Sequence, residues 1–385
     1  MLPFFDQDHW ELREQVRAWV AENLISEREP AGDVENQARG LVGALGEKGF
    51  LAFAIPKKFG GQREAVQARD LCLIREELAR GSALADTMFA IQALGSYPVT
   101  LYGTEAQKAR YLPPIATGKA IAAFALTEPT AGSDVSSLET KAVRRGREYC
   151  LTGTKHFISN AGIADSYVVF ASTQPDKKGK GISAFVLDAK TPGIVLKEKT
   201  ELLSSHPIGV IAFEECVVAG SSLLGNEGDG LKVAFGTLDV LRCTVGAAAV
   251  GLAQRALEEA VRYSQARRQF GRAIAEFQGI QFKLADMKTE LEAARSLVYQ
   301  AAWAHDVAQS DAKAKASMAK YYATEAAQRI VDQGLQIHGG SGLIAGSIME
   351  RLYRDVRALR IYEGTSEIQN LVIARELLKE VDSRH

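Results

Sequence analysis

A glutamate on a glycine turn just before a predicted helix has the setting of a general base. Glu363 lies in residues 361–369 (IYEGTSEIQ), where Ser366 and Gln369 have the capping-box spacing and predict that the last helix begins at Ser366. The helix N-terminus would stabilise an ionised carboxylate there, whereas desolvation would raise its pKa from about 4.3 towards neutrality, as a general base needs. The alternative is an ordinary solvated glutamate in a surface turn.

A strand followed by a small-residue turn has features suited to a flat polar ring and to phosphate oxygens. Residues 124–134 read FALTEPTAGSD: the predicted strand ends at Thr127, Pro129 stops further pairing, and Gly132 and Ser133 allow a tight turn with exposed backbone N–H groups. The alternative is an ordinary loop at the end of a strand. In residues 153–162, Phe157 and Ser159 lie two apart and therefore share one face of a predicted strand. That face could lie against an aromatic cofactor or be a half-buried sheet face.

Two further segments interrupt long helical patterns. Residues 267–272 (RRQFGR) form a basic turn between two predicted helices, and arginine presents a planar fork suited to phosphate. The alternative is a solvated cluster at a helix end. Residues 336–342 (QIHGGSG) end a helix in glycines, which is the usual C-terminal cap, so His338 favours a packing role over a catalytic one.

The periodicity of the chain predicts a multi-domain α+β protein. Apolar residues recur at helical spacing up to residue 117, short β-branched or aromatic runs occupy residues 121–224, and long Ala-rich helical patterns follow. We therefore predict an N-terminal α-helical domain (1–120), a middle antiparallel β-domain (121–225) and a C-terminal four-helix bundle (226–385).

Composition and charge exclude several classes of protein. The chain has 385 residues, of which 46% are hydrophobic and 24% charged, with a formal net charge of -1, so we expect a globular protein without general affinity for nucleic acid. The four cysteines are scattered, and none has metal-ligand spacing; we predict no metal site, no disulfide and a reduced compartment. The N-terminus lacks the pattern of a signal peptide, and no apolar run approaches the ~20 residues that span a bilayer, which predicts a cytoplasmic protein without membrane association.

Taken together, these segments resemble the acyl-CoA dehydrogenase family over essentially the full chain. TEPTAGSD is similar to the flavin-loop signature of that family, RRQFG to its signature between two bundle helices, and IYEGTSEIQ to the stretch that carries its catalytic glutamate. The resemblance implies the acyl-CoA dehydrogenase fold, FAD as cofactor, Glu363 as the catalytic base and a role in fatty acid metabolism.

The resemblance also implies which residues bind FAD and substrate. Residues matching contacts to the flavin ring or pyrophosphate are Phe124, Leu126, Thr127, Gly132, Ser133, Phe157 and Ser159, the last two where the family often has Trp and Thr. Residues matching contacts to the adenine-diphosphate half, many of them made to a neighbouring subunit, are Arg267, Gln269, Phe270, Gln278, Gln336, Gly340, Thr365 and Glu367. The residues expected at the acyl thioester and its pantetheine arm are Ser133, Asp239, Arg242, Tyr362 and Gly364. A site shared between subunits implies a homodimer or homotetramer.

The implied reaction is α,β-dehydrogenation of an acyl thioester. Glu363 takes the α-proton, flavin N5 takes the β-hydrogen as hydride, the product is a trans-2-enoyl-CoA, and the reduced flavin passes its electrons to an electron-transfer flavoprotein.

The chain departs from the family pattern in residues 201–209 (ELLSSHPIG), where many members have a glycine–arginine–serine–threonine type of run near the thioester arm. An acyl or aminoacyl group held on a carrier protein in a biosynthetic pathway is therefore an alternative substrate. A flavin oxidase or monooxygenase on the same fold is a second hypothesis, and a non-catalytic helical binding protein is a third.

Overall fold

The computed structural model describes residues 4–25 and 32–382, and side chains as far as Lys379. The outer limits of the predicted first and third domains, at residues 1 and 385, lie outside the described residues. The helices are α1 Gln7–Asn23, α2 Val34–Glu47, α3 Ala68–Gly81, α4 Ala83–Tyr102, α5 Glu105–Ala116, α6 Gly230–Ala266, α7 Gln278–Asp306, α8 Ala312–His338, α9 Ile348–Ala358 and α10 Ser366–Asp382. The predicted order of helices, sheet and helices, and with it the fold class, is confirmed.

The middle of the chain forms one mixed sheet. Its strands are β1 Ala122–Ala125, β2 Lys141–Arg145, β3 Glu148–Ser159, β4 Ser166–Ser172, β5 Ile182–Asp188, β6 Ile194–Lys199, β7 Ile208–Ala219 and β8 Leu223–Leu224. They are ordered β6-β7-β3-β2-β4-β5-β8, with β1 beside β4. Pairing is antiparallel except where β4 meets β1 and β2, which are parallel to it. The prediction of a wholly antiparallel sheet was wrong at these two pairs, because the β2–β3 hairpin supplies the connection between β1 and β4 that a helix supplies elsewhere.

Strand β4 lies in the middle of the sheet and is buried along its whole length, so both faces of the sheet are covered at this strand. Alternate β4 side chains enter two different cores: Val168 and Phe170 enter one, and Tyr167 and Val169 the other. A further two-stranded ribbon, β9 Arg268–Gln269 with β10 Arg272–Ala273, lies between α6 and α7.

Three helices of the structure are missing from the helical segments that the sequence pattern predicts, which are Asp8–Asn23, Ala65–Arg80, Glu105–Leu112, Leu238–Ala266, Phe277–Val307, Asp311–Ile337 and a final helix from Ser366. α4 contains Pro98 and is apolar on nearly every side, so it has no amphipathic stripe to detect. α2 carries Gly40, Gly43 and Gly46, which lower the helix propensity of its sequence. α9 is strongly amphipathic but has only 11 residues, and it was not separated from the turns around it.

The described residues fold as two compact units. One comprises residues 4–25, Ala68–Asp86 and 240–382; the other comprises Gly32–Gln67 and Thr87–Asp239, and contains the whole eight-stranded sheet. We call them the helical unit and the sheet unit. The predicted boundaries of three domains remain a prediction.

One described helix, α6, is long and apolar enough to cross a membrane by length and composition, contrary to the expectation that no run would qualify. In the structure, 78% of its apolar window is buried. This burial is what a core helix of a globular protein shows.

Candidate functional site

The turn that carries Glu363 belongs to the helical unit and is held by its backbone carbonyls. Lys320 Nζ donates to the Gly364 carbonyl at 2.8 Å. Gln369 Nε2 donates to the same carbonyl at 2.9 Å and to the Glu363 carbonyl at 3.2 Å. Glu363 has a φ of 53° and Gly364 a φ of 89°, and a Cβ at Gly364 would lie 2.6 Å from Gln369 Nε2. Glycine is therefore required at residue 364, and Glu363 is held in the left-handed region that non-glycine residues rarely adopt.

The predicted capping box at Ser366 and Gln369 was wrong, although α10 does begin at Ser366. The hydroxyl of Thr365, one residue earlier, accepts the Ile368 N–H at 3.4 Å. The Ser366 hydroxyl donates to Glu325 at 2.6 Å instead of capping the helix. The Gln369 side chain is fully buried and donates to the turn that carries Glu363 instead, so the sequence spacing gave the correct helix start for a different reason.

Glu363 is half-buried, and its carboxylate is desolvated at one of the two oxygens. Its Oε2 is buried without a hydrogen-bond partner among the described residues. Burial raises the pKa of Glu363 above its ordinary value, and Asp86 adds to this rise. The charges of Arg75, Lys320 and Arg242 oppose it by favouring the ionised form. The site thus has three cationic side chains facing two carboxylates, an arrangement suited to negative charge that develops on a substrate.

A backbone donor accompanies this carboxylate. Within the described ranges 4–25 and 32–382, no hydrogen bond is made by the backbone N–H of Glu363. An N–H group on the same residue as a dry carboxylate can donate to a carbonyl oxygen of a bound substrate while the carboxylate takes a proton from the adjacent carbon.

Arg75 on α3 is a site residue that sequence reasoning missed. Its Nε and one terminal nitrogen donate to the two oxygens of Asp86 at 2.7 and 2.9 Å, and its other terminal nitrogen donates to Thr244 Oγ1 at 2.8 Å. Arg75 is 3% exposed and Asp86 4%. The available signal was a charged residue within the apolar stripe of a helix, and the same signal marks Lys320, which is 0% exposed on Ala-rich α8.

The predicted substrate residues on this side differ in exposure. Arg242 is 6% exposed and Tyr362 is 38% exposed. Burial nevertheless raises the pKa of the Tyr362 hydroxyl, while the charge of Arg75 opposes the rise. The structure therefore brings Tyr362, Glu363 and Arg242 into one charged cluster within the helical unit. Asp239 lies on α6 one turn before Arg242 and is half-buried.

In the sheet unit, the end of β1 is fixed by a buried ion pair. Lys155 Nζ donates to Glu128 Oε1 at 2.7 Å and to the Leu126 carbonyl at 3.0 Å, and the His156 N–H donates to the Thr127 carbonyl at 2.8 Å. Phe124, within β1, packs on Phe170 with ring centroids 4.9 Å apart. These contacts hold the segment of the predicted flavin loop that leaves the sheet.

The side chains predicted to lie beside a flavin ring come next to one another on β3. The pairing of β3 with β7 shifts between Lys155 and Ile158, and Phe157 in this bulge has a φ of 54° and is 50% exposed. Ile158 is buried in the core, whereas Phe157 is exposed and Ser159 is half-buried; that the two share one face stays a prediction, because the bulge interrupts the alternation of the strand. The bulge displays an aromatic ring on the surface of the sheet, a feature typical of functional sites.

Ser159 has a partner that the sequence did not indicate. Its Oγ lies 3.0 Å from His206 Nε2, and His206 Nδ1 lies 3.3 Å from the Ser204 carbonyl. Burial lowers the pKa of His206, so the ring is neutral near pH 7. With its proton on Nδ1, the ring donates a hydrogen bond to the Ser204 carbonyl and accepts one from the Ser159 hydroxyl at Nε2. His206 belongs to the run in which the sequence departs from the family pattern.

The residues of this unit fit a flat ring with a phosphate-bearing arm. A Cβ at Gly132 would meet no atom within 4 Å, and Ser133 is exposed, so the turn after Thr127 is open to a ligand. Together with the displayed Phe157 ring, this open glycine turn meets the requirements of FAD.

The residues predicted for the adenine-diphosphate half lie on the surface of the helical unit. Phe270 at the tip of the β9–β10 ribbon has a φ of 51° and is 92% exposed. Arg267, Gln269, Gln278, Gln336, Gly340 and Glu367 are exposed, and Thr365 is half-buried. An exposed aromatic ring at a ribbon tip is suited to burial against another surface.

One group of described residues, Asp6, Asp8 and His9, has ligand atoms within 4.8 Å of one another. His9 Nδ1 already accepts the Asp6 N–H at 3.3 Å as part of the α1 capping box, and both aspartates are exposed. Helix capping explains this group.

Comparison with known proteins follows the three segments of the fold. The family models described as the N-terminal, middle and C-terminal domains of acyl-CoA dehydrogenase match residues 6–119, 123–216 and 228–378.

Curated relatives match over nearly the whole chain. It is 41% identical to a 3-(aryl)acrylate reductase of Clostridium sporogenes over 98% of this chain and 100% of the relative. It is 40% identical to an acyl-CoA dehydrogenase of Bacillus subtilis over 97% of this chain and 98% of the relative. It is 39% identical to the subunit CarC of the caffeyl-CoA reductase-Etf complex of Acetobacterium woodii over 98% of this chain and 100% of the relative.

Solved structures match equally well. The prolyl acyl carrier protein oxidase AnaB is similar with a TM-score of 0.89 and 33% identity, over 97% of this chain and 99% of that chain. PigA with FAD and proline is similar with a TM-score of 0.89 and 31% identity, over 97% of this chain and 98% of that chain.

Proposed function

The chain belongs to the acyl-CoA dehydrogenase family, and on that premise we propose that Glu363 is the base that removes the α-proton of an acyl thioester. The protein is an oxidoreductase that acts on CH–CH bonds and uses FAD. The observation that supports the proposal most directly is the buried, unpaired Oε2 of Glu363, whose pKa burial raises. An exposed carboxylate would be too weak a base for this carbon acid.

The residues of the helical unit divide the work of proton removal. The Glu363 carboxylate accepts the α-proton, and its own backbone N–H donates to the thioester oxygen, where negative charge develops. Arg75, Arg242 and Lys320 stabilise that charge without taking part in proton transfer. The chemistry that bound FAD supplies is acceptance of the β-hydrogen as hydride.

We assign the cofactor contacts as the sequence predicts them. In the sheet unit, the residues for the flavin ring and pyrophosphate are Phe124, Leu126, Thr127, Gly132, Ser133, Phe157 and Ser159. Those for the adenine-diphosphate half are Arg267, Gln269, Phe270, Gln278, Gln336, Gly340, Thr365 and Glu367. The 92% exposure of Phe270 favours its reaching a neighbouring subunit in a homodimer or homotetramer.

Two carriers, coenzyme A and an acyl carrier protein, are candidates for the thioester part of the substrate. Asp239 and Arg242 would hold a pantetheine arm, with Ser133, Tyr362 and Gly364 beside the acyl group. Coenzyme A and an acyl carrier protein both present this arm. The His206 run and the similarity to AnaB favour the carrier protein as a second candidate.

The physiological direction has a second candidate as well. Two relatives are named as reductases of arylacrylate and caffeyl-CoA, which favours an enoyl thioester as substrate, with protonated Glu363 as the acid that returns the α-proton. An electron-transfer flavoprotein is the proposed redox partner in either direction, in line with the Etf-complex relative.

Anaerobic flavin titration tests the proposed function. We expect purified protein to be yellow and at least one acyl-CoA or acyl-carrier protein in a panel of straight, branched, aryl and prolyl acyl groups to bleach it. The matching 2-enoyl thioester should reoxidise the chemically reduced protein. A colourless protein that takes up no FAD, or a yellow one that no thioester of either carrier bleaches and no enoyl thioester reoxidises, would contradict the proposal.

A further inference from the structure

We propose that Lys320 is a positioning residue for Glu363, which fixes the catalytic turn through the Gly364 carbonyl and presents its ammonium charge to the carboxylate. This inference rests on the proposed function of Glu363 as base. It adds a residue that the family signatures around Glu363 do not contain, because Lys320 lies on a different helix, 44 residues before Gly364 in the chain.

Lys320 is buried, so its ammonium group cannot be solvated by water and must find its hydrogen-bond partner inside the protein. It is 0% exposed on α8, and its helical neighbours Ala316, Ala319 and Ala323 are buried apolar residues. A lysine in such a stripe costs free energy unless its ammonium is satisfied. Its hydrogen bond is to Gly364, the residue after the base, at 2.8 Å. The Lys320 side chain therefore links α8 to the turn that carries Glu363 by a hydrogen bond to the Gly364 carbonyl.

The turn needs that support because its backbone is strained. Glu363 and Gly364 both have positive φ, and two donors grip their carbonyls: Gln369 Nε2 holds both, and Lys320 Nζ holds that of Gly364. With the carbonyls fixed, the orientation of the Glu363 side chain is fixed as well. Loss of one of these hydrogen bonds would let the carboxylate move, and a misplacement of ~1 Å can lower a rate about 100-fold.

The charge of Lys320 acts on the same carboxylate. Lys320 is faced by Glu363, Arg242, Glu325 and Glu367. Glu325 is already engaged, because it accepts hydrogen bonds from Arg360 at 2.8 Å and from Ser366 at 2.6 Å. In the part of the chain that the structure describes, Glu363 makes no ion pair with Lys320, and the ammonium acts on its carboxylate through the electrostatic attraction between their charges.

The charges around Glu363 come from four elements and its neighbour in the chain. They are Arg75 on α3, Asp86 on α4, Arg242 on α6, Lys320 on α8 and the adjacent Tyr362. Asp86 neutralises Arg75 through both of its oxygens, so the ammonium of Lys320 is less compensated than the Arg75 guanidinium.

Burial lowers the pKa of Lys320 to about 8, and the attraction of Glu363 opposes this shift. Below that pH the amine is charged, and it stabilises the negative charge that develops on the thioester as the α-proton leaves. Above that pH the amine is neutral, and this stabilisation is lost. We therefore expect the rate of flavin reduction to fall as the pH rises through about 8, on the opposite side from the rise that follows ionisation of Glu363.

Two substitutions at Lys320 test the proposal, and a third substitution is a matched control. Lys320→Met removes both the hydrogen bond to the Gly364 carbonyl and the charge, and we expect flavin reduction at pH 7 to slow about 100-fold. Lys320→Arg keeps a donor and a charge that does not titrate in this range, so it should recover at least about tenfold of that loss and should lack the fall near pH 8. Lys315→Met removes a lysine on the same helix that is bonded to Gln309 and Asp311 instead, and should behave as wild type.

A measurement independent of turnover tests whether the charge of Lys320 acts on the carboxylate of Glu363. Carbon-13 NMR of glutamate-labelled protein, with the Glu363 signal assigned by its absence in Glu363→Gln, reports the pKa of the base with or without FAD. Loss of the nearby ammonium should raise this pKa by about 1 unit in Lys320→Met and leave it unchanged in Lys315→Met. If Lys320→Met does not fold, the pH profile and the Glu363 titration of Lys320→Arg decide the question.

Failure of this inference is distinguishable from failure of the proposed function. Normal flavin bleaching in Glu363→Gln would show that Glu363 is not the base and would overturn the proposed function. A silent Glu363→Gln variant together with a Lys320→Met variant that matches Lys315→Met in rate, pH profile and Glu363 pKa would leave the base in place and overturn the role of Lys320. Persistence of the fall near pH 8 in Lys320→Arg would overturn it as well.

Discussion

Glu363→Gln is expected to remain folded and yellow while its flavin reduction by substrate slows by a factor of about 10²–10⁴. Glutamine has the same shape and keeps the backbone N–H and the grips on the Glu363 and Gly364 carbonyls, so binding and turn geometry should survive. Its amide cannot accept the α-proton. Stopped-flow absorbance under anaerobic conditions measures the change.

The matched control is Glu376→Gln, which removes a half-buried carboxylate bonded to Lys379 on α10 and should leave the rate unchanged. The wild-type rate should also rise with pH through the raised pKa of Glu363, since the protonated form cannot act as base. This rise should be absent from the residual activity of Glu363→Gln. If the Glu363→Gln variant reduces its flavin at the wild-type rate, another group removes the proton.

The second large effect is on stability. Lys155→Met should lower the free energy of unfolding of the sheet unit by about 3–5 kcal/mol, because it leaves the Glu128 carboxylate buried without its counter-ion. Lys155 is 0% exposed and Glu128 4%, and their 2.7 Å contact also holds the Leu126 carbonyl through Lys155. Urea unfolding followed by circular dichroism measures the loss, and weaker FAD retention should accompany it.

A second substitution separates the buried charge from the packing. Adding Glu128→Gln to Lys155→Met removes the uncompensated carboxylate and should recover part of the lost stability. In the wild type the pKa of Glu128 is lowered by Lys155, so its contribution is present above its ordinary pKa and is lost as the pH falls through the lowered value. Equal stability of wild type and Lys155→Met would contradict this account of the buried pair.

The sequence predicted the elements better than their contacts. Motif residues such as Phe157 and Glu363 were found because local patterns mark them, and the structure adds that both have positive φ. The proximity of Arg75 and Lys320 to Glu363 was not predicted, because both residues are far from Glu363 in the chain and come near it only when the protein folds. The contact of His206 with Ser159 was missed for the same reason, because the pairing of β3 with β7, and not a motif, brings the two residues together.

Single helices show the limits of periodicity in the same way. The amphipathic helices were predicted within a few residues, as α7 Gln278–Asp306 illustrates, whereas buried α4 was missed because apolar residues on all sides leave no stripe. At α10, two polar residues had capping-box spacing and formed no box, because Glu325 and the Gly364 carbonyl offered them better partners. Spacing alone does not distinguish a local hydrogen bond from a tertiary one.

Exchange of substrate α-hydrogen with deuterated water tests the central claim most directly. FAD-loaded protein with its flavin already reduced cannot oxidise an acyl thioester, so mass spectrometry of a thioester from the titration panel reports proton removal alone. The account predicts rapid incorporation of deuterium at the α-carbon with wild type and with Glu376→Gln, and incorporation slower by a factor of about 10²–10⁴ with Glu363→Gln. Equal incorporation by wild type and Glu363→Gln would contradict it.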